Sequence, residues 1–266
     1  MLKANSISLI KGNRQILKEM TIEIQPGCIT ILVGPNGAGK SSLMRLLSGE
    51  WQPTSGNIEL EGCALSEWSL QDLARIRAVL NQGTLLEFPF KVGDVVLMGL
   101  TPFNEGFESA KDRVLAESAL DQVDLSGFWE RNYLNLSGGE KQRVHLARIL
   151  CQINAAMREC ESTYLLLDEP TAMLDLGHRH LVFSLIRQLA QRGCGIFIIL
   201  HELNLAMSYA DQLVLLNASE MVAQGNPVEV LSPDRVASVF GVAAWHVAHP
   251  AFPKPLIATQ SVNGIR

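Results

Sequence analysis

An α/β fold built around a parallel sheet is predicted by three features of this chain. The apolar runs ITILV at 29–33, YLLLD at 164–168 and GIFIIL at 195–200 show no polar alternation and read as strands buried on both faces. Helix-length segments separate them, and strand–helix–strand order implies parallel strands joined by right-handed crossovers. The first run leads directly into GPNGAGKSS, residues 34–42, a glycine-rich turn at a strand–helix junction.

The elements follow in order. Residues 1–33 read as short strands divided by the turns KGN and QPG. A helix begins at the glycine-rich turn and runs to about Ser48. TSGNIELEG reads as a turn and an edge strand, and RAVLNQ as a further short strand. From about Glu87 to Leu150 the pattern is mostly helical. Ala116, Ala119, Leu120 and Val123 fall at i, i+3, i+4 and i+7, on one helical face. This stretch, about 87–150, is read as a helical insert in an α/β domain spanning 1–250. A helix of about 15 residues joins YLLLD to GIFIIL. After Gly225 short helical or irregular pieces are expected, ending in a Pro-containing tail over 251–266.

Composition narrows the function. The 266 residues include 22 Lys+Arg and 27 Asp+Glu, a net charge of −5. An acidic chain without a basic run lacks what duplex phosphates require, so no nucleic-acid partner is expected. Cys28, Cys63, Cys151, Cys160 and Cys194 are scattered and form no C-x-x-C pair, which argues against a disulfide framework or a zinc site. The N-terminal stretch lacks the apolar segment of a signal peptide. The longest apolar runs are strand-length, against the roughly 20 residues of a membrane span. A chain that does not cross a membrane is expected.

The chemistry begins at residues 34–42. GPNGAGKS satisfies G-x-x-x-x-G-K-[ST]. The backbone N–H groups of Gly34, Pro35 through Gly39 (Pro35 excepted, having none), Lys40, Ser41 and Ser42 can wrap a phosphate, because glycine leaves no Cβ in the way. Asn36, Gly37 and Ala38 complete that loop. The helix that follows adds its positive N-terminal end. Lys40 is placed to reach the β- and γ-phosphates of a nucleotide, and the Ser41 hydroxyl to bind Mg²⁺. YLLLDEP sets Asp168 at the end of a buried strand, as the metal partner of Ser41, and Glu169 toward an attacking water. Read alone, the two carboxylates also suit a helix N-cap. LNLSGGEKQRVHLARIL, 134–150, opens a helix with Ser137, Gly138 and Gly139, a second anion-binding N-terminus. One nucleotide does not need two such cradles in one place, so the second suits a nucleotide held by another copy. By itself it is equally an N-capped amphipathic helix.

Taken in order, these segments resemble the ATP-binding subunits of ABC transporters over nearly the whole chain. GPNGAGKS resembles the Walker A motif, LSGGE the signature, YLLLDEP Walker B and AMLD the D-loop, with Gln82 at the Q-loop and His201 at the switch histidine. The resemblance implies a P-loop NTPase fold: a RecA-like parallel core sheet, an antiparallel β edge and an inserted helical subdomain. It implies ATP hydrolysis with Mg²⁺ by a head-to-tail homodimer holding two ATP molecules, each between one copy's P-loop and the other's signature. By position, Gln82 would sense the metal and attacking water, joining Ser41 and Asp168 around Mg²⁺. Glu169 would polarise the water and His201 would hold the γ-phosphate. Ser137, Gly138, Gly139 and Asp175 would act across the dimer, with Asp175 linking the two sites.

Departures accompany the resemblance. The family's adenine-stacking aromatic near residue 10 is Ile10 here, and residues 1–50 contain no aromatic at all. Adenine is then left to apolar contact or to Arg14. The D-loop begins with Ala172 instead of Ser, the signature ends in Glu140 instead of Gln, and CQINAAMRECEST lengthens the spacer before Walker B. LARIRAVLNQ, LHELNLAMSYADQLVLL and QGNPVEVLSPDRVASVFGV resemble importer subunits for iron-siderophore complexes, vitamin B12 and haem. The long spacer and RNYLNLSGGEKQRVHLARILCQ resemble the haem branch most. That branch implies a peripheral protein on the cytoplasmic face of the bacterial inner membrane. Its partners would be two copies of a permease and, indirectly, a periplasmic haem-binding protein. Residues about 83–99 would receive a permease helix, with Phe88, Pro89 and Phe90 as its apolar contacts, although by themselves these three read equally as ordinary subdomain core. Uptake of a ferric siderophore or vitamin B12 is the alternative, and a soluble ABC ATPase without a membrane partner lies further off. The pairs His178/His180 and His246/His249 are read as surface histidines, not haem ligands.

Overall fold

The computed structural model describes residues 1–81, 83, 86–104 and 109–261. The chain opens with β1 (Leu2–Lys11), β2 (Arg14–Ile24), β3 (Ile29–Val33), α1 (Lys40–Leu47), β4 (Ser55–Leu60) and β5 (Cys63–Ala64). Next come α2 (Leu70–Ile76), β6 (Arg77–Leu80), α3 (Val92–Leu97), α4 (Ala110–Gln122), α5 (Gly138–Glu159), β7 (Tyr164–Asp168) and α6 (Leu176–Gln191). The remainder is β8 (Gly195–Ile199), α7 (Leu203–Tyr209), β9 (Gln212–Asn217), β10 (Glu220–Gly225), α8 (Pro227–Val230), α9 (Pro233–Phe240), β11 (Val242–Val247) and β12 (Leu256–Ser261). Two compact units emerge, Met1–Glu67 with Phe197–Arg266, and Trp68–Ile196.

In the first unit β3 is buried at every residue, which is why ITILV carries no polar alternation. It pairs in parallel with β9, Ile31 opposite Leu213 and Val33 opposite Leu215, and β10 returns antiparallel to β9. A separate antiparallel sheet has the order β2-β1-β4-β5. β4, expected at an edge, therefore lies inside this sheet. The reason is the turn at Glu61 and Gly62, both with positive φ, which folds the chain back so that Cys63 pairs with Leu60. Two such residues make the hairpin turn that suits twisted strands.

The C-terminal region also differs from expectation. Two short helices do follow Gly225, each with Pro in its first turn. The chain then forms an antiparallel hairpin of β11 and β12, with Trp245 opposite Ala258. Asn204 of α7 secures the second strand: its amide donates to the Ile257 carbonyl at 3.1 Å and accepts from the Ile257 N–H at 2.7 Å. One side chain thus does the work of a neighbouring strand. The prolines at 250, 253 and 255 mask this strand in the sequence.

In the second unit β6 and β7 pair in parallel, Leu80 opposite Leu167. β7 is buried throughout. Ala116, Ala119, Leu120 and Val123 are all buried, on the face their spacing predicts. α5 is 22 residues long and continues through CQINAAMRE, so most of the long spacer is helix rather than loop. The buried Tyr133 hydroxyl lies 2.8 Å from His145 Nε2 and ties the turn before α5 to the helix itself. Gly99 lets the backbone after α3 rest on α5, since a Cβ there would lie 2.2 Å from the Arg148 carbonyl oxygen. Backbone cannot give way as a flexible side chain can. Gly99→Ala is therefore expected to cost about 1–3 kcal/mol of stability, read as a lower midpoint in urea unfolding.

Candidate functional site

Residues 34–42 join β3 to α1 in the first unit. A Cβ on Gly34 would lie 2.2 Å from the Leu216 carbonyl oxygen. Gly39 has φ 107, and its Cβ would lie 2.7 Å from Leu17 Cδ2 and 2.8 Å from the Ile16 carbonyl oxygen. Both positions therefore demand glycine, one by space and the other by space and dihedral together. Lys40, only 7% exposed, folds back so that Nζ donates to the carbonyls of Gly34 at 2.8 Å and Pro35 at 3.0 Å. This fixes a positive charge at the loop. α1 begins at Lys40 after the N-cap Gly39, has no side-chain cap hydrogen bond and carries no acid in its first turn. Its N–H groups, without a side-chain cap, and its positive end suit an anion. Asn36, Gly37 and Ser41 are exposed, Pro35 and Ser42 partly so, and Ala38 is buried.

The same unit places His201 near this loop along the strand ends. The Leu200 N–H donates to the Leu32 carbonyl at 3.1 Å, two residues before Gly34 and one before His201. His201 itself is exposed.

The second unit holds the two carboxylates. Asp168 ends β7 and is 5% exposed, while Glu169 follows with φ 51. The left-handed region is uncommon for a residue with a Cβ and costs on the order of 1 kcal/mol. The chain turns there, with the Ala172 N–H donating to the Glu169 carbonyl at 3.3 Å. β6 ends beside β7. The residues beyond it include Gln82, which lies outside the described residues.

α5 begins at the Ser-Gly-Gly turn, also in the second unit. Ser137 caps it: its hydroxyl donates to Glu140 Oε2 at 2.7 Å, its N–H donates to the same oxygen at 2.8 Å, and its oxygen accepts from the Glu140 N–H at 3.3 Å. This reciprocal cap explains why glutamate serves where the family more often has glutamine. The Ser137 hydroxyl and backbone hydrogen bonds hold the Glu140 carboxyl below its ordinary value. Gly138 and Gly139 lie against Met173, since a Cβ on either would fall 3.2 Å from its Sδ or 3.1 Å from its carbonyl oxygen. Gln142 donates to the Pro170 carbonyl at 3.0 Å. The start of α5 and the 170–175 segment are thus one assembly, which no linear feature relates. Asp175 caps α6 by accepting from the His178 N–H at 2.9 Å. Met173 and Leu176 are 68% and 73% exposed.

His246 and His249 are engaged by backbone groups. His246 Nε2 lies 2.8 Å from the Leu231 carbonyl oxygen, and His249 accepts from the Ala251 N–H at 3.2 Å. Among the described residues no group of three or more His, Cys, Asp or Glu gathers as a metal site, and the five cysteines are free thiols.

The chain is similar to known proteins over most of its length. The family described as ABC transporter matches residues 17–172. The hemin import ATP-binding protein HmuV of Gloeobacter violaceus is 44% identical over 257 residues, covering 97% of this chain and 93% of the relative. HmuV of Rhizobium meliloti is 41% identical over 263 residues, covering 99% and 100%. A solved metal-chelate type ABC transporter in an inward-facing conformation matches with a TM-score of 0.80 at 25% identity, covering 98% of both chains.

The Glu140 cap has a pH consequence. A carboxyl held low in the folded state stabilises it above the ordinary carboxylate range, and that contribution is lost as pH falls through the lowered value. Glu140→Gln keeps a capping side chain that does not titrate. Its urea midpoint should fall less than wild type's between about pH 7 and about pH 3.

Proposed function

The chain belongs to the ABC transporter family, and we propose that it is the ATP-hydrolysing subunit of a bacterial importer of haem. Its fold is the α/β P-loop NTPase fold. The observation that carries the cargo is the 44% identity, over nearly the full length of both chains, to a hemin import ATP-binding protein. Uptake of another metal chelate is the second reading, favoured by the likeness to a metal-chelate type transporter.

In this reading the 34–42 backbone and Lys40 bind the ATP phosphates. Ser41 offers an exposed hydroxyl and Asp168 a buried carboxylate. Both are hard oxygen donors suited to Mg²⁺, which takes few protein ligands beside the phosphates. Bound Mg²⁺ would neutralise phosphate charge. Gln82 completes that set and monitors it, Glu169 orients the attacking water, and His201 holds the γ-phosphate side. Ser137, Gly138 and Gly139 serve a nucleotide held by a second copy, and Asp175 links the two sites. Catalysis of this kind is mainly positioning and charge stabilisation.

The working assembly is a homodimer on two permease copies, fed by a periplasmic haem-binding protein, at the cytoplasmic face of the inner membrane. Among the described residues no helix is long and apolar enough to cross a membrane. Phe88, 70% exposed and in edge contact with Phe90, supports the 83–99 region as the permease seat. The helical segment 87–150 is the natural insert bearing that seat and the signature. Net acidity supports the absence of a nucleic-acid role.

Lys40→Ala should lower ATP affinity at least about tenfold by removing a charge-assisted contact to phosphate. Unchanged affinity in a fluorescent-nucleotide titration would overturn the loop assignment. Glu169→Gln should bind ATP, accumulate dimer in size exclusion and turn over at least about a hundredfold more slowly. Normal turnover removes Glu169 as the water-orienting base. A pull-down of Glu169→Gln from solubilised native membranes should bring a many-spanning permease. In liposomes that complex should move haem in preference to cobalamin or a ferric siderophore. Movement of one of those instead replaces the cargo, and capture of no membrane protein rejects the importer reading.

A further inference from the structure

His178 stands between two carboxylates. Its backbone N–H makes the Asp175 cap, and its ring Nδ1 lies 3.0 Å from both Asp175 carboxylate oxygens. On its far side Nε2 lies 3.4 Å from Asp124 Oδ2. Asp124 sits at φ 58 in the turn after α4, gripped by Arg143 of α5. Arg143 Nη1 donates to the carbonyls of Asp124 at 2.7 Å and Val123 at 3.0 Å, and lies 3.6 Å from Asp124 Oδ2. A connected path therefore runs from Asp175 through His178 and Asp124 to Arg143, six residues beyond Ser137 on the helix that Ser137 caps.

We propose that His178 is a positioning residue for the composite hydrolysis site, clamping the Asp175 segment to the α5 helix, and that the clamp is complete only when its imidazole is protonated. The inference rests on the reading that Ser137 and Asp175 serve a nucleotide held by a second copy. A neutral imidazole has one N–H and one lone pair, so it can donate to only one of its two carboxylates while its lone pair faces the other. The protonated ring donates to both, through charge-assisted bonds. The charged groups that face the ring among the described residues are Asp175 from its own cap, Asp124 from the end of α4 and, behind Asp124, Arg143 of α5. The backbone and then the ring hydrogen bonds from His178 hold the Asp175 carboxyl below its ordinary value, which favours its anionic form.

The test is steady-state ATP hydrolysis by the full chain between about pH 5 and pH 8, where imidazoles change charge. His178→Gln and Asp124→Asn are compared with wild type. Asn tolerates the left-handed backbone at 124 and keeps the carbonyl that Arg143 uses, so Asp124→Asn carries the test even if His178→Gln folds poorly. Both should lower kcat about fivefold at the acid end, with the deficit shrinking toward the alkaline end. KM for ATP should not change, because the 34–42 loop of the same copy binds the nucleotide. A deficit equal at every pH, or a wild-type profile in Asp124→Asn, overturns the proposal. Ser137→Arg in the same assay separates it from the reading beneath. If Ser137→Arg hydrolyses like wild type, the composite site fails and the clamp with it. If Ser137→Arg is inactive while the Asp124→Asn profile matches wild type, only the role of His178 falls.

Discussion

Between β3 and α1 there is no room for a side chain at Gly34 or Gly39, and the phosphate loop depends on that. At Gly34 the obstruction is the carbonyl of Leu216 in the strand beside β3, and at Gly39 it is Leu17 and the Ile16 carbonyl in β2. Two neighbouring strands thus press the loop from different sides. The loop keeps its path because glycine alone allows both the approach and the φ of 107. Lys40 then turns inward onto the carbonyls of Gly34 and Pro35, which sets a cation within the loop before any ligand arrives. Such an arrangement needs little reorganisation to receive phosphate charge.

Glycine plays the same spacing role in the second unit, to a different end. Gly138 and Gly139 let the start of α5 approach Met173 and so join the helix to the segment between Asp168 and Asp175. Around this contact the polar groups are already engaged. For Ser137 to donate to a phosphate, its hydroxyl must turn from Glu140. In the proposed composite site, the Glu140 carboxylate and a phosphate would compete for this one donor. Glu169, in a backbone region disfavoured for its residue type, is held there by the turn that follows β7.

Elements whose stability is local or whose burial is complete were legible in the linear chain. β3, β7 and β8 appear as unbroken apolar runs because they are covered on both faces. The buried face of α4 appears as a helical period. Elements made by distant partners were not. β4 looks like an edge strand because only the two-residue β5 lies beyond it. β12 hides behind three prolines and is secured by Asn204, far earlier in the chain. The spacer after Leu150 reads as an addition of unknown form, yet continues α5 with Ile153, Ala155 and Ala156 buried.

Three short stretches carry their residue types and spacing in the linear chain itself: the 34–42 loop, the two carboxylates at a strand end and the Ser-Gly-Gly helix start. Each is a short motif whose spacing alone sets which groups can act together. What those stretches rest against is set by packing: Leu216 behind Gly34, Met173 against Gly138, and Asp124 and Arg143 behind His178. These pairs lie far apart along the chain and join chemically ordinary residues. Periodicity and spacing describe neighbours within an element, whereas close approach between elements depends on packing across the whole core.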